Sequence, residues 1–356
     1  MLYINNQILY LSFNFDNSFF AVGTETGFKV YLTETLKLKF DRNLGGGIAL
    51  IQMLNDSNIF CLGGGGKSPK YAPNKLLIWD DIQAKEVLEY RFNSYVLNCK
   101  IKRERLFVVT HDEISIIDLI ETMDVIETLK TCENIYGACS ISKDPEIYLF
   151  AWPDTNIGYI EIKNFKNDNE FIIDDVQKTQ HIQAHKNMVE IIEINFKGNK
   201  LASSNEKGNL IKIFDINNGN LIHELRRGTE QAKIYDISFD INDNYLAVSS
   251  DRPTIHIFTL INENNNNKGN NEVKNTKSMF NGISKMLGVK ILQSEWSFAQ
   301  VKVPSNSKSI VSLFSDQNKI VIVNNQGKYI SAVYNTKSES NVECKITKSI
   351  SIFNIS

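Results

Sequence analysis

Leu225-Arg226-Arg227-Gly228 is the stretch of this sequence best suited to chemistry. It closes a strand-like run, Leu221-Ile222-His223-Glu224. It precedes a second, Ala232-Lys233-Ile234-Tyr235-Asp236-Ile237-Ser238-Phe239. Successive side chains on a strand point to opposite faces. Two adjacent arginines at a strand end therefore serve two pockets, one on each side, more easily than one. A guanidinium is a planar fork of donors that fits a phosphate with two parallel bonds. The local geometry points to two neighbouring anion sites. Two other readings fit the same residues: a solvated turn and, with Thr229, a basophilic kinase site.

The elements that must position this pair come from a repeat: a strand, a short polar turn, then a strand ending in a large residue. Phe19-Phe20-Ala21-Val22-Gly23 leads to Gly27-Phe28-Lys29-Val30-Tyr31, and Ile59-Phe60-Cys61-Leu62 to Leu76-Leu77-Ile78-Trp79. The same pairing recurs at Leu106–Val109 with Ile114–Asp118, and at Ile147–Phe150 with Gly158–Ile162. It returns at Lys200–Ser203 with Ile211–Asp215, Tyr245–Val248 with Ile255–Phe258, and Lys319–Val323 with Lys328–Tyr334. The markers Tyr31, Trp79, Ile117, Ile162, Phe214, Phe258 and Tyr334 lie 48, 38, 45, 52, 44 and 76 residues apart. A four-stranded propeller blade takes roughly 40–45 residues. Helical patterns are nearly absent, and alternating strands recur. The expectation is an all-β chain: one seven-bladed β-propeller of four-stranded blades over residues 1–356. A ring of short sheets also removes the exposed edges of so many strands.

The last gap is long because 261–292 is inserted in the sixth blade. It opens with Asn264-Asn265-Asn266-Asn267 and runs as polar low complexity to about Thr276, which predicts disorder. Beyond it, Met279, Phe280, Ile283, Met286, Leu287 and Ile291 fall on one face at helical spacing. Five lysines against two glutamates give the insertion a charge of +3. A basic amphipathic segment fits a membrane surface. Packing on the propeller side fits the same pattern.

The whole chain of 356 residues carries a net charge of −2, with 42% hydrophobic and 22% charged residues. That composition allows a sizeable core and gives no global drive toward nucleic acid or acidic membrane. Dispersed lysines argue against a nucleic-acid role. The five scattered cysteines suggest reduced thiols and a cytosolic setting. The N-terminus does not read as a signal peptide, and no apolar run reaches the ~20 residues of a membrane span.

Several motifs are decoys. Gly63-Gly64-Gly65-Gly66-Lys67-Ser68 resembles a phosphate loop, but Cys61 stands where the first glycine is needed, and Pro69 and Pro73 follow where a helix should start. His181 and His185 have i,i+4 spacing without the glutamate and helix of a zinc protease motif, so no metal site is expected. No nucleophile elbow or other catalytic constellation is present. The chain reads as a non-enzyme without a cofactor.

Ala184-His185-Lys186, Leu201 to Gly208, Ile211-Lys212-Ile213-Phe214 and Leu225-Arg226-Arg227-Gly228 occur in this order. Ala232-Lys233-Ile234-Tyr235, Leu246 to Asp251, Thr254 to Phe258 and Ser294 to Gln300 follow. The run strongly resembles the PROPPIN family, the WIPI-type propellers of autophagy, over nearly the full chain. The resemblance implies a seven-bladed propeller that binds phosphatidylinositol 3-phosphate and phosphatidylinositol 3,5-bisphosphate at two sites flanking the arginine pair. It assigns His185, Ser203, Lys212 and Arg226 to the first site, and Arg227, Ser250, Thr254 and His256 to the second. Arginine and lysine meet phosphate charge, hydroxyls satisfy its remaining oxygens, and histidine adds a donor that strengthens when protonated. The family's sixth-blade loop enters the membrane, which matches Met279 to Leu292 here.

Four positions depart from the family: Leu225 replaces Phe, Lys212 replaces Arg, Asn209 replaces Thr and Pro253 replaces Gly. The implied function is a peripheral effector, monomeric in solution, recruited to membranes carrying these lipids: preautophagosomal, endosomal, vacuolar or another organelle. There it would recruit lipid-transfer or conjugation machinery. Arg103 and Arg105, read as lying between the second and third blades, form a candidate partner patch or a solvated basic turn. The rival readings are a protein-binding propeller scaffold without lipid specificity and a propeller hydrolase with a metal in its channel.

Overall fold

The structure is a computed structural model, described here for residues 7–165, 180–261, 274–277, 294–304, 307–336 and 342–354. The hydrophobic face predicted at Met279 to Ile291 lies outside these residues, as does the asparagine tract.

The first sheet holds β1 (Ile8–Phe13), β2 (Phe19–Thr24), β3 (Gly27–Leu32) and β4 (Leu38–Asn43). The second holds β5 (Ile48–Met53), β6 (Ile59–Gly64), β7 (Lys75–Asp80) and β8 (Lys85–Arg91). The third holds β9 (Asn98–Lys102), β10 (Arg105–Val109), β11 (Glu113–Asp118) and β12 (Val125–Lys130). The fourth holds β13 (Ser140–Ile141), β14 (Leu149–Pro153), β15 (Tyr159–Asn164) and β16 (Gln180–Gln183). The fifth is built on β17 (Val189–Ile194), β18 (Lys200–Asn205), β19 (Leu210–Asp215) and β20 (Leu221–Arg226).

The sixth sheet starts with β21 (Ile234–Phe239), β22 (Tyr245–Ser250) and β23 (Thr254–Thr259). Two short strands follow, β24 (Thr276–Lys277) and β25 (Glu295–Trp296), before β26 (Ala299–Lys302) completes it. The seventh holds β27 (Ser309–Phe314), β28 (Lys319–Asn324), β29 (Lys328–Val333) and, after β30 (Val342–Glu343), β31 (Lys345–Ser351). The insertion thus falls between the third and fourth strands of the sixth sheet. β25 joins β20 in parallel and carries β24, while β30 joins β26 in parallel.

Every predicted strand pair is the second and third strand of a sheet. Those strands are buried on both faces, so they read as apolar runs. The fourth strands β4, β8 and β12 are largely exposed, so no apolar pattern announces them, whereas β20, buried at its end, reads as a strand in the sequence. A second repeat appears only in register. The first strands β1, β5, β17 and β21 each carry a shift one step from their start. Such bulges bend a strand and raise its twist.

The chain divides into two compact units, residues 1–138 with 323–329 and 350–356, and residues 139–322 with 330–349. The first unit has a core of Ala21, Phe28, Val30, Ile51, Phe60, Leu62 and Trp79. Its glycine-rich run is structural: a Cβ on Gly64 would lie 2.0 Å from the Tyr71 carbonyl oxygen, so glycine permits close backbone approach.

In the second unit, Ala202, Ile211, Ile213 and Leu225 of the fifth sheet pack on Ile234, Ile237, Leu246, Val248 and Phe258 of the sixth. Gly208 fixes the adjoining turn. Its φ is +60°, and a Cβ there would meet the Ala232 carbonyl oxygen at 1.7 Å. Leu225 is fully buried in this core immediately before the arginine pair. Leu225→Ala is therefore expected to destabilise the protein by about 2–5 kcal/mol, the range for a buried leucine truncated in a packed core. The shift in urea midpoint measures it, and a loss under 1 kcal/mol would show that the core does not anchor this strand end.

Candidate anion-binding site

Strand register assembles the first group. Ser203 pairs with Lys212 across β18–β19, and Lys212 pairs with Glu224 across β19–β20. Arg226 lies one alternation beyond Glu224, on the same face. The other face carries Ile211, Ile213 and Leu225 into the core. His185 completes the group with a 2.9 Å hydrogen bond between Nε2 and Ser203 Oγ, and Lys212 Nζ donates to the Ala184 carbonyl at 2.8 Å. Arg226 Nη2 donates to Ser294 Oγ at 3.4 Å. The structure thus gathers His185, Ser203 and Lys212 directly and places Arg226 beside them.

Arg227 leaves the strand toward the sixth sheet. Its N–H donates to the Asn209 carbonyl at 3.1 Å, and its Nη2 to the Glu230 carbonyl at 2.9 Å. His256 lies within reach of the Arg227 charge and meets Ser297 Oγ through Nδ1 at 2.9 Å. Ser250 and Thr254 flank the β22–β23 turn, where Ser250 Oγ accepts the Arg252 N–H at 3.2 Å. Pro253 is exposed in that turn, and its carbonyl accepts the Val303 N–H. Gly228 opens on free space: a Cβ would meet nothing within 4 Å.

The two arginines are 4% and 6% exposed, and among the described residues the Nε of each is buried without a hydrogen-bond partner. Burial pulls both guanidiniums below the ordinary arginine pKa. Glu224 opposes this at Arg226. At Arg227, Arg252 adds to it, and Asp251 and Glu230 oppose it. Buried cationic donors without acceptors are costly to keep, and a phosphate oxygen would satisfy them. His185 is pushed down to about 3 by burial and then by Lys212, and His256 to about 3 by burial and then by Arg227. In the ligand-free protein both rings are therefore neutral at neutral pH. The extra donor expected from protonation is not in place before an anion arrives.

Three residues of these groups were not among the sequence candidates. Glu224 lies two residues before Arg226, a spacing that alternation alone could have flagged. Ser294 and Ser297 come just after the insertion, 68 and 41 residues from Arg226 and His256, and no local pattern links them. The base of the insertion is well tied. Glu295 bonds His223 Nδ1 at 3.0 Å and accepts from Asn275 Nδ2 at 2.7 Å, while Asn275 Oδ1 accepts the Thr259 N–H at 2.9 Å.

Other candidates fall elsewhere. Arg103 and Arg105 sit at the β9–β10 turn, inside the third sheet rather than between the second and third. The turn needs only Arg103, at φ +49°, and Glu104 to reverse the chain. His181 and His185 do not share a site. His181 Nδ1 bonds Asp154 at 2.6 Å, and Asp154, Glu161 and His181 bring one donor atom each within 4.8 Å of one another, a grouping able to hold a cation. Strand geometry separates the two histidines because i,i+4 makes neighbours only on a helix.

The fold is a seven-bladed β-propeller of mostly four-stranded blades, with two adjacent buried arginines at the end of the last strand of its fifth blade. A family model described as PROPPIN matches residues 8–353, and the chain belongs to that family. The solved structure of Kluyveromyces lactis Hsv2 with its complete loop 6CD superposes with a TM-score of 0.77 at 26% identity, covering 98% of this chain and 99% of that one. SVP1-like protein 2 of Neurospora crassa is 33% identical over 253 residues, 71% of this chain and 56% of the relative. Autophagy-related protein 18 of Yarrowia lipolytica is 31% identical over 271 residues, 72% of this chain and 67% of the relative. The match spans less than two thirds of the Neurospora crassa relative's length. Among the described residues no helix is long and apolar enough to cross a membrane.

The buried histidines make a stability prediction. Their folded pKa of about 3 lies below the ordinary 6.5, so the unfolded chain takes up protons first as pH falls. Their contribution is complete above pH 6.5 and is lost toward pH 3, by up to ~1.4 kcal/mol per pH unit for each ring. Between pH 7 and pH 5.5 the pair should remove about 2–3 kcal/mol from the unfolding free energy. Urea titrations should show this loss, and His185→Gln/His256→Gln should flatten it. An equal slope in the double variant would mean that other groups set the acid sensitivity.

Proposed function

We propose that this protein is a non-enzymatic membrane effector of autophagy or vesicle traffic. It binds phosphatidylinositol 3-phosphate and phosphatidylinositol 3,5-bisphosphate at two sites, one on each side of Arg226-Arg227. The observation that carries this reading is the pair of adjacent buried guanidiniums, each with an Nε that has no acceptor among the described residues. Membership of the PROPPIN family and similarity to an autophagy-related relative support it.

In this reading a headgroup phosphate is held in the first site by Arg226 and Lys212, with His185 and Ser203 as neutral partners. The second site uses Arg227 with Ser250, Thr254 and His256. The insertion with Met279, Phe280, Ile283, Met286, Leu287 and Ile291 meets the same membrane. Linked contacts multiply, and avidity exceeds single-site affinity by roughly 100-fold or more. The bound protein would then recruit lipid-transfer or conjugation proteins, with Arg103 and Arg105 as one contact.

Co-sedimentation with liposomes, with and without phosphatidylinositol 3-phosphate, tests the reading on the full chain. Wild type should sediment only with lipid-bearing vesicles, and Arg226→Ala/Arg227→Ala should lose at least tenfold in bound fraction. A folded wild type that ignores the lipid would overturn the proposal in favour of a protein-binding scaffold.

A further inference from the structure

The first group carries a fixed acid in the same row as its cations. On the first, Ser203, Lys212 and Glu224 stand in one cross-strand row, with Arg226 one step along the same face. Lys212 stands directly across from Glu224 and Arg226 stands two residues along the same strand, so all three side chains share one face, and the Glu224 charge acts on Arg226. Glu224 does not neutralise either cation by contact. Its hydrogen-bond partner is Ser294, whose hydroxyl donates to Oε1 at 2.8 Å and takes the longer 3.4 Å bond from Arg226. The carboxylate is thus held in place beside the cations. On the second pocket the corresponding rows pair Val248 with His256 and His256 with Gln300, and contain no acid. The nearby acids there, Glu230 and Asp251, lie against Arg252 at 3.2 and 3.9 Å and also act on Arg227.

We propose that Glu224 is a specificity-determining residue that restricts the first site to a singly phosphorylated inositol ring. This rests on the headgroup-binding reading above. With His185 neutral, Lys212 and Arg226 supply two positive charges to the row and Glu224 removes one. The remainder suits one phosphate monoester. A second phosphate on the same ring would enter the field of a fixed carboxylate, where like charges repel. Glu224 would act on the headgroup directly, and Ser294, from the base of the insertion, would act through Glu224 by holding it.

The test uses the full chain carrying Arg227→Ala, which leaves the first site to be read alone. Soluble inositol 1,3-bisphosphate, inositol 1,3,5-trisphosphate and inorganic phosphate are titrated calorimetrically. The bisphosphate, which mimics the singly phosphorylated lipid, should bind about threefold or more tighter than the trisphosphate, although the latter carries more charge. Inorganic phosphate should bind at least about tenfold more weakly than the bisphosphate. Adding Glu224→Gln should raise trisphosphate affinity by about tenfold and bisphosphate affinity by about threefold or less, and Glu224→Asp should keep the original preference.

A trisphosphate preference in the Arg227→Ala chain would overturn the assignment without any change at Glu224. So would equal gains for both headgroups on Glu224→Gln, or inorganic phosphate binding as tightly as the bisphosphate. If bisphosphate binding persists in these cases and is lost on Arg226→Ala, the headgroup reading stands and only the role of Glu224 falls. If wild type binds neither headgroup, the underlying reading falls with it.

Discussion

The alternation of side chains at the end of one strand is the constraint on which this site depends. β20 sends Leu225 into the core and Arg226 to the opposite face, and Arg227 continues toward the sixth sheet. Two like charges can stand next to each other in sequence because the backbone sends them apart. The core on Leu225 prevents the strand end from rotating both to one side. A pair of arginines on a flexible turn would instead lie in water and remain free to reorient.

Burial sets the chemistry of both pockets. The guanidiniums are almost wholly covered, yet an Nε of each is left without an acceptor among the described residues. Their histidines are held neutral by the same burial and by the neighbouring cations. Each guanidinium thus keeps a buried donor for which the described residues supply no acceptor. Such arrangements persist only where surrounding packing over-determines them. Here that packing is the apolar face shared by the fifth and sixth sheets.

The base of the insertion belongs to the same construction. Ser294 reaches Glu224 and Arg226, Ser297 reaches His256, and Glu295 holds His223 and Asn275. A segment that reads in sequence as an interruption of the sixth blade thus supplies polar partners to both pockets. β25 adds to the edge of β20 and β24 pairs with β25, so Thr276–Lys277 and Glu295–Trp296 extend the sheet that carries Arg226.

Much of the fold was legible because the second and third strands of each blade are buried on both faces and read as apolar runs at a recurring spacing. The fourth strands β4, β8 and β12 were silent because they are mostly exposed, and their residues obey solvent rather than a core. The sequence by itself determined the blade repeat, the opposed arginines and the position of the insertion, since each follows from local alternation and burial. Only the tertiary structure decided that Glu224, Ser294 and Ser297 join the pockets and that His181 and His185 part company. It alone decided that His185 and His256 are too buried to carry a proton at neutral pH. Those properties depend on cross-strand register and on contacts between distant residues, and neither leaves a pattern along the chain.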